Sequence, residues 1–514
     1  MECAMPFEDD LLAECRKLIL RHEQYAQDIR DDDERRSDRT GRPHRGTVHR
    51  PSYWSADRAF NPYKVRSSTT SIAYAIQRAL AAGQYAPYNP IAYEVPKGDG
   101  ATRRVSVFPV ADATVSRRVY KSLLEKNQAR FSSYSFAYRS DLSAHDAIRH
   151  ISSELNGRDR VFLAEYDFTK FFDSISHDYV WRIINDHGFL VSPLEKSVLD
   201  SFLATNLQSQ GSYQRLERCA DKDYGLPQGT SISLFLANVA AWELDRTLER
   251  LGVGFARYAD DTLIWSNDYS LICKASDTLS SISQKIGAEL NFRKSHGISI
   301  FTPEGAPVEL KSKACVEFVG YKFDSRGTGM RASAVARIKR RISYLIWVNL
   351  LEPLTKSEAS PSRLTPTIDR DYQVMLWQIR RYLYGDLSEK KLRKLISGRA
   401  RRIHFPGVMA YFPLVSDVSQ LKELDGWMAH TIWTSLNKRR RILMSRGIQD
   451  FPIPHGLSES QLLKARTRTK DGVEIDLRMP SFVRIGTCIN QAATAHGPNA
   501  VGRKSGPLHY EYDI

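Results

Sequence analysis

The 514-residue chain is predicted to be a mixed α+β protein of more than one domain. Three observations point there. Between residue 53 and about residue 323, apolar side chains switch repeatedly between helical and strand-like spacing. Two apolar runs in that region, VFLA at 161–164 and LIW at 263–265, have the length and composition of buried strands. Beyond Met330 the texture changes to long, Arg-rich helical segments. With 42% hydrophobic and 26% charged residues the composition is that of a folded protein, which excludes global disorder, a collagen repeat and a coiled-coil rod.

Taken in order, residues 1–52 predict a short helix over 1–30, with Leu11, Leu12, Cys15, Leu18, Ile19 and Leu20 at helical spacing. A basic stretch at 30–50 follows, nearly free of large apolar side chains, and predicts a mobile linker or an arm that orders on a charged partner. Residues 53–330 form the α+β region and 331–450 a basic helical one, with 23 Lys/Arg against 10 Asp/Glu. Residues 451–514, rich in Gly, Pro and polar side chains, predict a C-terminal extension without a legible pattern.

The formal charge of +15 favours a polyanionic partner, nucleic acid first. Much of that excess lies in 331–450, as in a helical appendage gripping a phosphate backbone; for any single residue there, a solvated helix face is the simpler reading. Apolar stretches at 232–241 and 345–351 fall far short of the roughly 20 residues of a membrane span. Six scattered cysteines without a C-x-x-C pair argue against a zinc module or disulfide framework. No leader pattern is visible at the N-terminus, so a cytoplasmic protein is expected, with no membrane partner.

Three carboxylates carry the chemical argument. The run at 161–164 leads into Asp167, and a carboxylate at the end of a buried strand is costly unless paired or bound to a cation. Asp260 and Asp261 sit between apolar strand formers in GFARYADDTLIWS at 254–266, where like-charge repulsion adds to that cost. Hard oxygen ligands on a hairpin tip and a separate strand suit Mg²⁺ carrying water and substrate phosphates, and two such ions about 4 Å apart would serve a phosphoryl displacement. An isolated Asp-Asp pair is equally an exposed hairpin turn; the combination in this order is what points to chemistry.

At this point the chain resembles a reverse transcriptase over about residues 70–440. YADD at 258–261 resembles the metal-binding hairpin, DFTKFFD at 167–173 the first catalytic strand, and GLPQGTSIS at 225–233 the loop and helix start that meet nucleotide and template. ALAAGQYAPY at 79–88, VPKGDGATR at 95–103 and SYSFAYRS at 133–140 resemble the fingers; LNFRKS at 290–295 a palm motif; FVGYKF at 318–323 the primer grip; LDGWMAHTIW at 424–433 with KRRR at 438–441 the thumb. The resemblance implies a right-hand polymerase: fingers and palm in 53–330, a basic helical thumb in 331–450. It implies Asp167, Asp260, Asp261 and the Phe168 carbonyl as ligands of two Mg²⁺ ions, and Lys97 and Arg103, with Arg104 competing, on the triphosphate. Lys294 would protonate pyrophosphate or be an ordinary surface lysine, and Phe172 would exclude a 2′-hydroxyl or be a core residue. Gln228 would touch nucleotide or template, Gly225 and Gly229 would let the backbone approach substrate, and Gly320 and Tyr321 would place the primer end or form a simple core hairpin.

Neither the retron elements nor a nuclease-type His/Cys cluster is found after the thumb-like region, which leaves a resemblance to the bacterial "unknown group" enzymes of antiphage defence. The function so implied is RNA-directed DNA polymerase, with an RNA template, a dedicated noncoding RNA, as partner, dNTPs as substrates and cDNA as product; a homo-oligomer is left open. The alternatives are untemplated or protein-primed synthesis from the same site, with Tyr510 and Tyr512 as candidate priming hydroxyls, and a maturase-like RNA-binding scaffold.

Overall fold

The computed structural model describes residues 6–502 except 97–101, 159, 216–221, 292–296, 304, 306–308, 356–362, 365–366, 386, 398, 401 and 469–471. The chain opens with α1 (Phe7–Thr40), whose Phe7, Leu11, Cys15 and Ile19 are buried. The helix runs ten residues past the apolar pattern, so the first part of the expected mobile linker is helical. Polar pairs one turn apart sustain it there: Gln27 donates to Asp31 (2.6 Å) and Arg36 lies 3.5 Å from Asp32. Near its end Arg39, 2% exposed, donates to Asn349 at 2.6 Å. The chain then folds back, with His44 Nδ1 at 2.6 Å and the Gly46 N–H at 2.8 Å from Asp33.

Next come α2 (Pro62–Arg66) and α3 (Thr69–Ala81), both packed on α1. A hairpin of β1 (Ile91–Pro96) and β2 (Thr102–Val107) pairs Glu94 with Arg104, and α4 (Val110–Asn127) and α5 (Ala144–Leu155) follow.

The central sheet is assembled from distant segments. Its strands are β3 (Val161–Tyr166), β4 (Gly254–Tyr258), β5 (Asp261–Ser266), β6 (Gly297–Phe301) and β7 (Ser312–Lys313), in the order β4-β5-β3-β6-β7. Between β3 and β4 lie α6 (Phe171–Ser174), α7 (His177–Asp186), α8 (Pro193–Leu203), α9 (Ser231–Ala240) and α10 (Trp242–Leu251); α11 (Tyr269–Ile286) joins β5 to β6. Because strand side chains alternate, the two sheet faces feed two cores. Ala164, Tyr166, Phe255 and Ile264 enter one, shared with α1, α4, α7, α9 and α11. Val161, Leu163, Ala256, Leu263 and Trp265 enter the other.

That second core extends through β8 (Cys315–Phe318), β9 (Tyr321–Asp324), β10 (Gly327–Met330) and α12 (Ala332–Leu350). It continues past α13 (Glu352–Thr355) into α14 (Arg370–Tyr384), α15 (Glu389–Ile396), β11 (Ile403–His404) and α16 (Val418–Ser445). The stretch after 450, illegible in sequence, holds α17 (Glu459–Leu462), β12 (Arg466–Arg468), β13 (Glu474–Asp476), α18 (Phe482–His496) and β14 (Val501–Gly502). It belongs to the core: Phe482, Ile485, Ile489 and Ala492 are buried, and β14 pairs in parallel with β11. A buried ion network ties these parts together. Arg439 donates to Asp369 (2.7 Å) and Asp371 (2.8 Å), and His455 lies 2.9 Å from Asp369. Burial would raise the Asp369 carboxyl, but Arg439 and His455 hold it at about 2. One arginine of the basic run at 438–441 is therefore a structural ion pair, unavailable to phosphate. The mixture of helices and strands expected from the sequence is present, and no helix among the described residues is long and apolar enough to cross a membrane.

Candidate active site

The register of the central sheet fixes where the three carboxylates stand. β3 and β5 are antiparallel, with Glu165 opposite Leu263 and Tyr166 opposite Thr262. One further step of the same ladder sets Asp167 opposite Asp261, both on the sheet face that carries Leu163 and Leu263. Directly opposed Cβ atoms in such a pair are about 5 Å apart. Two residues back on that face, Glu165 is paired with Lys313.

On its other edge, β3 continues into an isolated antiparallel bridge between Phe168 and Leu290. The Thr169 N–H donates to the Glu289 carbonyl and the Asn291 N–H to the Asp167 carbonyl, both at 2.8 Å. Phe168 and Leu290 are thus the non-hydrogen-bonded pair of that ladder, which turns the Phe168 carbonyl toward the β5 edge. Asp260 is the tip residue next to Asp261, at this same end of the sheet. Three carboxylate positions and one backbone carbonyl therefore gather at one end of β3 and β5. The convergence is one of backbone positions: among the described residues no three His, Cys, Asp or Glu side chains are drawn into a closed metal-holding group. As a donor set, all-oxygen ligands on adjacent strands fit a hard divalent cation such as Mg²⁺.

The hairpin that presents Asp260 has a two-residue tip, since Tyr258 pairs with Asp261. Its first tip residue, Ala259, has φ +61°, a left-handed position normally given to Gly in such hairpins. Arg257 holds it there. This side chain, 1% exposed, donates from Nη1 to the Ala259 carbonyl at 3.0 Å. It also forks onto Asp245 (2.7 and 2.6 Å) and reaches Ser135 Oγ (2.6 Å) and Asn238 Oδ1 (3.3 Å). Burial pushes the Asp245 carboxyl up and Arg257 pulls it back. The 134–136 segment covers the outer edge of β4: Arg257 N–H donates to Tyr134 O and Phe136 N–H to Arg257 O, each at 2.9 Å. The sequence reading missed Arg257; the signal was an arginine inside an otherwise apolar strand.

The 225–229 loop lies against the segment after β3. Leu226 N–H donates to Phe172 O (2.6 Å), Gly225 N–H to Ile175 O (2.8 Å), and Gln228 Nε2 to Asp173 Oδ1 (3.1 Å). Its other side is tied to β2 through Ser106 N–H and Gln228 O at 2.6 Å. The glycines serve this packing. A Cβ on Gly229, at φ +117°, would lie 2.3 Å from Ser106 O, and one on Gly225, at φ +92°, would lie 3.0 Å from Asp173 O. Close approach to neighbouring backbone alone requires glycine at both positions.

Phe172 is 8% exposed, edge-on to Tyr138 (6.3 Å) and Phe171 (6.0 Å), so most of its ring belongs to the core. Arg103 stands in β2 opposite Val95, and Arg104 beside it is exposed. Lys97 and Lys294 lie outside the described residues, as do Tyr510 and Tyr512. Gly320 and Val319 make a left-handed turn (φ +82° and +45°) between β8 and β9. Tyr321 is 2% exposed, with its hydroxyl donating to Tyr411 O at 2.9 Å, so its ring is a core element of that hairpin.

Residues 95–323 match the family model described as "Reverse transcriptase (RNA-dependent DNA polymerase)". Protein YkfC of Escherichia coli (strain K12) is 28% identical over 196 residues, 37% of this chain and 48% of that protein. The Putative COX1/OXI3 intron 1 protein of Saccharomyces cerevisiae is 29% identical over 162 residues, 30% of this chain and 18% of that protein. The chain thus spans less than half the length of either curated relative. Among solved structures, telomerase from Candida albicans in complex with a telomeric RNA fragment aligns with 76% of this chain and 69% of its own, at 12% identity and a TM-score of 0.37. The matched residues 95–323 contain β3, the Asp260–Asp261 hairpin and the 225–229 loop.

Proposed function

We propose that the chain is an RNA-directed DNA polymerase, a nucleotidyltransferase that adds dNTPs to a primer end on an RNA template. The observation that carries the reading is the cross-strand opposition of Asp167 and Asp261 beside the Asp260 tip. In this reading Asp167, Asp260, Asp261 and the Phe168 carbonyl hold two Mg²⁺ ions. When bound, these ions supply charge neutralisation at the attacking and leaving oxygens. The primer 3′-oxygen forms a bond to the α-phosphorus as the bond to pyrophosphate breaks. Lys97 and Arg103 neutralise the triphosphate, Lys294 gives a proton to the departing pyrophosphate, and Gln228 and Gly229 line the nucleotide side. The exposed edge of Phe172 sits under the sugar and disfavours a 2′-hydroxyl.

The resemblance extends the reading to a dedicated noncoding RNA as template, cDNA as product and a role in antiphage defence in the cytoplasm. Incorporation of labelled dNTP on an RNA template tests the activity. Wild-type synthesis must exceed that of an Asp260→Ala/Asp261→Ala variant; equal background in both would remove the enzyme and leave an RNA-binding scaffold. Product sequence complementary to the template supports copying, and a homopolymer without a matching template would assign untemplated addition instead.

A further inference from the structure

Among the described residues, four other than glycine hold a left-handed backbone. Three of them stand on segments of the candidate site: Ala259 at the hairpin tip, Lys170 just before α6, and Tyr138 at φ +60°. A bulky side chain in that conformation is uncommon and persists only where its surroundings hold it.

The hold on Tyr138 comes from two neighbouring carbonyls. That of Tyr138 accepts from the Tyr120 hydroxyl at 2.8 Å, and that of Ala137 from Asn238 Nδ2 at 2.9 Å. Burial pushes the Tyr120 hydroxyl up to about 12, so it remains a donor at neutral pH. Asn238, 1% exposed, has its amide direction set by Arg257, whose Nη1 and Nη2 each lie 3.3 Å from Oδ1. With the oxygen so engaged, the amide N–H is the end that meets Ala137. The same arginine holds the Ala259 carbonyl, so the hairpin tip and the 137–138 turn hang on one buried network.

What the strained turn presents is a ring. Tyr138 is half-buried and meets Phe172 edge to face, with centroids 6.3 Å apart and planes at 75°. Phe171 also touches Phe172, but it belongs to the same short helix and moves with it. Tyr138 reaches Phe172 from a separate, independently fixed segment. A glycine would take this backbone without strain and would leave Phe172 without that wall.

We propose that Tyr138 is a positioning residue for sugar selection: pinned in its left-handed turn by Tyr120 and Asn238, it backs the Phe172 ring and keeps it from tilting away from a 2′-hydroxyl. The proposal rests on the placement of Phe172 under the nucleotide sugar and adds the residues that keep it there.

The test is primer extension by the full chain on an RNA template with NTP and dNTP competing, read as the ratio of their kcat/KM values. Phe172→Val calibrates the loss of the wall itself. Tyr138→Leu is expected to raise NTP use relative to dNTP by about three- to tenfold. Tyr138→Phe, which keeps the ring, is expected to restore the wild-type ratio. Tyr120→Phe removes only the donor to the turn and should shift the ratio in the same direction as Tyr138→Leu; it carries the comparison if that variant does not fold. Because Tyr138 acts through Phe172, the Phe172→Val/Tyr138→Leu variant should discriminate no worse than Phe172→Val alone. A folded Tyr138→Leu variant with lowered stability and an unaltered ratio would overturn the inference. So would effects that simply multiply in the double variant, which would make Tyr138 independent of Phe172. An unaltered ratio in Phe172→Val removes the role of Phe172 and this inference with it, whereas failure of the polymerase reading shows as absence of dNTP incorporation by the wild-type chain.

Discussion

Arg257 offers a perturbation that separates folding from positioning. Both Arg257 and its partner Asp245 are 1% exposed, so Arg257→Met leaves a buried carboxylate uncompensated. The expected cost is about 3–5 kcal/mol, read as a shift in the denaturant midpoint. Replacing both partners, Asp245→Leu/Arg257→Met, removes the stranded charge and should recover most of that stability, since apolar replacements of buried pairs are often close to neutral. The double variant still lacks the donor to the Ala259 carbonyl, leaving the left-handed tip unrestrained beside Asp260. A hydrogen bond from a charged donor contributes about 1.5–3 kcal/mol. If that loss is felt at the tip, dNTP incorporation should fall by about 10- to 100-fold in a protein of near wild-type stability. Single-turnover primer extension beside urea denaturation provides both readings. A double variant that is stable and extends at the full rate would refute the positioning role; one that fails to recover stability would refute the account of the buried pair.

Other substitutions test neighbouring parts. Gly229→Ala should destabilise by at least about 2 kcal/mol, because its Cβ would meet Ser106 O at 2.3 Å. Gly426→Ala, in α16 with nothing within 4 Å, should be neutral or stabilising by up to ~1 kcal/mol in the same denaturation assay. Phe172→Val should raise use of NTPs relative to dNTPs by about tenfold or more; an unchanged ratio with only lost stability would leave Phe172 a core residue. Asp112, buried and bonded to the Tyr85 hydroxyl at 2.6 Å, is pushed by burial to about 6 from 3.8. The folded state then binds its proton more tightly than the unfolded chain, so this group's stabilisation is complete below about pH 4 and lost as pH rises through about 6, a swing of ~3 kcal/mol. Asp112→Asn should remove that component from the pH profile of unfolding; an unchanged profile would contradict it.

What was legible in the sequence, and what was not, follows from how far each signal is local. The apolar run ending at Asp167 and the acid pair between strand formers announced themselves because buried strands with terminal carboxylates are uncommon and expensive. Their pairing register needed the sheet. Arg257, though set inside an apolar strand, was easy to overlook because an arginine reads as a surface residue until Asp245, twelve positions earlier in α10, is seen beside it. The glycines at 225 and 229 were recognisable as special, but whether they accommodate substrate or neighbouring backbone depends on β2 and the 171–175 segment. Residues 31–40 lack an apolar stripe, and their helix is held by i,i+4 pairs and by Arg39 reaching Asn349, 310 positions away. For the same reason 451–502 looked patternless: short elements contribute a few buried side chains each to a core formed by distant helices.

The most direct measurement is Mn²⁺ binding, followed by electron paramagnetic resonance, to the full chain with primer–template and dNTP present. If Asp167 and Asp261 face each other across β3 and β5 with Asp260 at the tip, wild type binds two ions, and Asp167→Asn weakens that binding strongly while its thermal midpoint stays put. Manganese binding that is indifferent to Asp167→Asn in a folded protein would contradict the account.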